Sequence, residues 1–152
     1  MRATIAVPVV AAMVVASGLA LGGQRRAETV SVYKDASCGC CAKWVEHLEQ
    51  HGFATKTTNV TNIDEVKTKN GVPAQARSCH TGMVAGYVIE GHVPAADVRR
   101  LLKERPAGVV GLAVPGMPIG SPGMEVGSRV QPYSVLAFDK QGKTTVFARH
   151  GG

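Results

Sequence analysis

Residues 35–44, DASCGCCAKW, place three cysteines within four positions. Cys38 and Cys41 form a C-x-x-C, the spacing of a redox dithiol, while Cys38 and Cys40 form a C-x-C, which suits metal chelation. Cys40 and Cys41 should not pair with each other: neighbouring Cα atoms lie about 3.8 Å apart, less than the span of about 4.4–6.8 Å that a disulfide needs. The fourth cysteine lies in RSCHTGM, where Cys79 is followed by His80 and Met83. Met117 and Met124 occupy a Gly/Pro-rich stretch that offers little local core, so each is either a plug over the domain or a free thioether. Thiolates and thioethers together select Cu(I); zinc takes Cys and His but rarely thioether, and calcium or magnesium needs oxygen. Cys38, Cys40, Cys41, Cys79, His80, Met83, Met117 and Met124 therefore form a copper inventory, with zinc as the main rival. Adjacent thiolates can bridge, so the inventory accommodates more than one copper ion.

The elements around these residues follow from periodicity. ETVSVYKDA alternates as a strand and stops at a small polar cluster. In CCAKWVEHLEQHG, Cys41, Trp44, Val45 and Leu48 recur at helical spacing and Gly52 closes the run, which predicts an amphipathic helix. That helix starts at the cysteine turn, where free backbone N–H groups and the positive dipole end favour thiolate over thiol. Cys41 should face inward, Cys40 fall on a flank, and Cys38 stay accessible on the turn. FATKTTNV reads as a second strand, and NIDEVKTKNG as a short helix with Asn62 and Glu65 spaced as a capping box. TGMVAGYVIEGHV reads as one strand and PAADVRRLLKERP as a helix between Pro94 and Pro106. AGVVGLAVPGMPIGSPGMEVG has no helical period and reads as a loop; YSVLAFDKQGKTTVFAR reads as a β-hairpin.

A C-x-x-C at the strand-to-helix turn of a βαβ unit predicts an α/β, thioredoxin-like fold: a central mixed sheet flanked by helices, with the Gly/Pro-rich loop and the C-terminal hairpin appended. His80 can join Cys79 only if the chain is still turning there, because a strand would put the two on opposite faces. His47 and His51 read as solvated side chains, His92 as a turn residue, and His150 as part of a frayed tail.

The N-terminus sets the compartment. Residues 2–25 contain only Arg2 before Arg25, and the stretch between is rich in Ala and Val. Residues 1–26 are expected to be a secretory signal peptide, or else an uncleaved membrane anchor, leaving one domain over 27–152. Without Arg2, Arg25 and Arg26 the 17 basic residues fall to 14, against 11 acidic ones, so the formal charge of +6 is partly a property of the leader. The remaining Lys and Arg are scattered, with few aromatics, which argues against a nucleic-acid partner. A mature domain of this size can bury a core without staples.

Three segments, CGCCAKW, SCHTGMVAGYVIEGHVPA and VPGMPIGSPGMEVG, closely resemble the small secreted metal-binding proteins grouped as a domain of unknown function and as CopG-like copper-resistance proteins. The resemblance runs from about Val30 to Phe147. It implies a thioredoxin-like fold in the periplasm, copper held by Cys38, Cys40, Cys41 and Cys79 with His80 a weaker ligand, and a role in copper handling or resistance. Copper ions and other periplasmic copper-handling proteins are the partners it implies. Copper cycling between Cu(I) and Cu(II) is compatible with this reading. A thiol–disulfide oxidoreductase using Cys38 and Cys41 is the alternative from a different class, and a zinc-stabilised structural domain is the third.

Overall fold

The computed structural model describes residues 27–152; the expected leader, 1–26, lies outside the described residues. Strand β1 (Thr29–Lys34) buries Val30 and Val32, and an Asp35–Ser37 turn leads into helix α1 (Gly39–Gln50). Gly52, at φ +78°, ends that helix and releases the chain into β2 (Ala54–Asn59), parallel to β1. Helix α2 (Ile63–Lys69) starts where expected: the Asn62 side chain accepts a hydrogen bond from the Glu65 amide.

The segment expected to be one strand is two. β3 (Thr81–Val84) and β4 (Tyr87–Glu90) pair antiparallel across a tight turn in which Ala85 and Gly86 both have positive φ. Helix α3 (Ala95–Glu104) follows, and then β5 (Val109–Ala113), a strand at the start of the stretch read as a loop. β5 lies parallel to β4. The hairpin β6 (Tyr133–Asp139) and β7 (Thr144–His150) forms as expected, its turn fastened by the Gln141 and Lys143 amides donating to Asp139 Oδ1.

The result is one mixed seven-stranded sheet in the order β2-β1-β3-β4-β5-β6-β7. Alternation along the strands feeds two cores. Val30, Val32, Ile89, Leu112 and Val135 meet Trp44 and Leu48 of α1 and Val98 and Leu101 of α3 on one face. Val88, Ala113 and Phe138 meet Val72 and Ala76 on the other, below α2. Each fully buried Leu contributes about 1.5–3 kcal/mol. This packing fixes the start of α1 beside the β3 end and the β4–α3 connection. Among the described residues no helix is long and apolar enough to cross a membrane.

Candidate metal centre

The four cysteines meet at the α1 N-terminus. Cys38 is its N-cap residue, Cys41 is fully buried on the Trp44–Leu48 face, and Cys40 lies on the half-buried flank, as the helical spacing predicts. Cys38 and Cys41 form a disulfide, and Cys40 and Cys79 are free. The sulfurs of Cys38, Cys40, Cys41 and Cys79 all lie within 4.8 Å of one another. Cys38 Sγ is 3.5 Å from Cys40 Sγ. Because two of the four sulfurs are tied in the disulfide, a four-thiolate ligand set requires that bond to be opened.

Cys79 enters from the segment before β3, where the chain is still turning, so His80 can lie on the same side as Cys79. Its Nδ1 is 3.3 Å from Cys79 Sγ. The residue missed in the sequence is His92. Read as a turn residue, it is fully buried in the β4–α3 connection, with Nε2 3.1 Å from Cys79 Sγ. His92 Nδ1 donates to the Pro122 carbonyl at 2.8 Å. Since that carbonyl only accepts, the proton belongs on Nδ1 and the Nε2 lone pair faces the sulfur. Cys79, His80 and His92 form a second group of donor atoms within 4.8 Å, sharing Cys79 with the first. The only sequence signal for His92 was the glycine before it. Gly91 has φ +70°, and a Cβ there would stand 2.5 Å from the Ser78 Cβ and 2.8 Å from the Val114 carbonyl oxygen. A glycine is needed for these chains to approach so closely.

Electrostatics keep the imidazoles neutral and the central thiol protonated. Burial, then the neighbouring His92 and Lys67, holds His80 well below the ordinary histidine range, against the opposing pull of the Gly91 backbone. Burial likewise lowers His92. Burial first, then the charge of Cys40, pushes Cys79 up to about 11. Neutral imidazole is the form that ligates a metal, and a thiol gives up its proton when it does. His80 Nε2 is buried without a hydrogen-bond partner among the described residues, which leaves it in want of one. The donor set is entirely sulfur and imidazole nitrogen, so it fits a soft or borderline cation and not an oxygen-loving one.

The methionines separate. Met83 is partly buried and packs against the second core. Met117 is 51% exposed. Met124 belongs to the loop that closes over α1: Gly123, at φ +87°, is packed so tightly that a Cβ would come 2.8 Å from the Cys40 carbonyl oxygen and 2.9 Å from the Trp44 amide nitrogen. Two other histidines also depart from expectation. His47 is half-buried and accepts a hydrogen bond from the Ala95 amide, and burial lowers its pKa. His150 lies in β7, bonds Asp97 at 2.7 Å and stacks on Tyr133.

Fold and site together define a small mixed α/β protein that gathers cysteine and histidine donors at a helix start, in the manner of a metal-binding protein. The family described as "Protein of unknown function, DUF411" matches residues 76–124, the stretch holding Cys79, His80, His92 and the covering loop. Two solved structures of a copper resistance protein, copG, are similar over 82% of this chain. Form 2 is 44% identical, covered over 99% of its own length, with a TM-score of 0.78; form 1 is 45% identical, covered over 98%, with a TM-score of 0.77. No curated protein matches the chain. The chain belongs to the CopG-like copper-resistance family.

Proposed function

We propose that this protein binds copper as Cu(I) through the thiolates of Cys38, Cys40, Cys41 and Cys79, in copper handling or resistance outside the cytoplasm. The observation that carries this reading is the convergence of four sulfurs within 4.8 Å at a helix N-terminus. Opening the Cys38–Cys41 disulfide takes two electrons and two protons from an external dithiol reductant, which leaves as its own disulfide, and yields two thiols; the helix start then favours their ionisation. A cluster of thiolates selects Cu(I) and can bridge more than one ion. His80 and His92 border the same sulfur and supply nitrogen donors, and Met124 sits in the adjoining loop as a thioether. The disulfide fits an exported protein, as does the apolar sequence before residue 27. The parallel β1–α1–β2 unit beside the β3–β4 hairpin supports the thioredoxin-like reading.

Competition against a Cu(I) chelator, with reduced protein under anaerobic conditions, tests the proposal. Copper is expected to be retained in preference to zinc, and Cys79→Ser and Cys40→Ala each to lower copper stoichiometry. Equal or stronger retention of zinc overturns the copper reading.

The Cys38–Cys41 disulfide favours one second reading, a thiol–disulfide oxidoreductase. Such an enzyme does not need Cys40. Fast insulin reduction that survives Cys40→Ala but requires Cys38 and Cys41, with copper binding unaffected by Cys40→Ala, would decide for it.

A further inference from the structure

Behind the metal centre, the opposite side of the sheet holds a charged pair with no solvent contact to explain it. Lys67 of α2 and Glu90 of β4 are 1% and 0% exposed, and their Nζ and Oε1 atoms are 2.6 Å apart. Two buried charges are costly to desolvate, and hydrophobic residues of the same volume would serve the fold as well or better. What the pair does beyond itself is visible in its remaining hydrogen bonds. Glu90 Oε1 also accepts from the Ser78 amide at 2.7 Å, and Oε2 accepts from Thr81 Oγ1 at 2.7 Å. Lys67 Nζ donates to the same Thr81 hydroxyl at 3.2 Å. Ser78 and Thr81 are the residues immediately before and after Cys79-His80. One carboxylate therefore holds both ends of the two-residue segment that brings donors to the centre. The Gly91 amide donates to the His80 carbonyl at 3.0 Å, and Thr81 pairs with Glu90 in the β3–β4 register, so the clamp is continuous with the sheet.

We propose that Glu90, paired with and oriented by Lys67, is a positioning residue for the metal centre: it clamps Ser78 and Thr81 so that Cys79 and His80 face Cys40 and His92. The carboxylate touches no donor atom of the centre and acts only through the backbone and side chain that flank them. The proposal rests on the copper-binding reading for its affinity consequences, and on geometry alone for the placement of Cys79. Groups that orient ligands from behind change metal affinity by about 10–100-fold when removed.

The test uses Glu90→Gln and the double variant Lys67→Met/Glu90→Gln, which removes both charges and leaves neither buried alone. Cu(I) affinity of the reduced full chain, measured against a chelator, should fall about 10–100-fold in both variants. In a Cys79→Ser/His80→Ala background the same substitutions should cause no further loss, because residues that act through one another are not additive. An equal loss in both backgrounds would mean a general effect on the fold and would overturn the clamp, as would unchanged affinity in the otherwise wild-type chain. A metal-free readout separates this from the copper reading. The rate of Cys79 alkylation relative to Cys40 should rise at least several-fold in the double variant at a temperature where it is folded. Should the wild-type protein prefer zinc to Cu(I), the copper reading falls while the alkylation ratio still decides the clamp; an unchanged ratio overturns it.

Discussion

Replacing Gly91 by alanine probes the approach that brings Ser78, and with it Cys79, against the β4–α3 connection. Two costs add at this position. Its φ of +70° lies in the left-handed region, where a Cβ costs about 1–2 kcal/mol. The new methyl would also meet Ser78 Cβ at 2.5 Å and the Val114 carbonyl at 2.8 Å, so one of two backbones must move. Overpacking of this kind costs about 1–3 kcal/mol. Gly86→Ala provides the reference, since φ there is +86° but nothing lies within 4 Å of the added carbon. It carries the conformational cost and the same loss of unfolded-state entropy, without the collision. For a domain of this size about 1 kcal/mol shifts Tm by about 4 °C. Gly86→Ala should then lower Tm by about 4–8 °C and Gly91→Ala by a further 4–12 °C. Thermal unfolding of the metal-free, oxidised protein by circular dichroism reads both. Cys79 alkylation should be faster in Gly91→Ala alone, because the segment carrying it is the one displaced. Equal Tm losses in the two variants would show that the Ser78 contact yields without cost and would refute the argument that Gly91 holds the donor segment in place.

Two other outcomes follow from single residues. Burial, with Asp97 and Glu125 adding to it, raises Tyr133 to about 12. A phenolate absorbance titration should show a late step that Tyr133→Phe removes; the neutral phenol's contribution to stability is present below about pH 10 and is lost as pH rises towards 12. Trp44, the sole tryptophan, is fully buried on the helix that carries the disulfide and lies 4.4 Å from His80. Its emission should rise on reduction of Cys38–Cys41, a quencher one helical turn away, and fall on copper loading; indifference to both would detach the centre from this face of α1.

Where local signals and global packing agree, sequence and structure agree. Val30 and Val32, the Cys41–Trp44–Leu48 stripe, the Asn62 cap and the Asp139–Gly142 turn each act over a few residues, and each was legible. The β3–β4 hairpin was hidden because Ala85 occupies a positive-φ position that normally calls for Gly or Asn. β5 was hidden because Gly111 and the glycines and prolines after it mask a five-residue strand held by its two neighbours. The cysteine trio and Cys79-His80 stood out by type and spacing. His92 did not, because its role comes from Cys79, 13 residues earlier, and Pro122, 30 residues later. Lys67 and Glu90 likewise look like surface charges until a pairing 23 residues apart buries both.

The covering loop has a bearing on the order in which the molecule is made. Cys38 and Cys41 are separated by three positions and lie in one turn, so their encounter needs almost no chain closure. The surroundings of Cys79 need β3, β4, the connection bearing His92 and finally Gly123, whose backbone lies against the start of α1. Contacts between such distant segments form slowly. If the chain is made into oxidising surroundings, as proposed above, it would have a reactive trio of thiols before it has a place to keep them. A disulfide formed that early would withdraw two of the three from side reactions while the sheet is assembled. Cys40, left free between them, is the one thiol of the trio that the disulfide does not withdraw, and the Gly123 backbone reaches its carbonyl only once that later loop has docked.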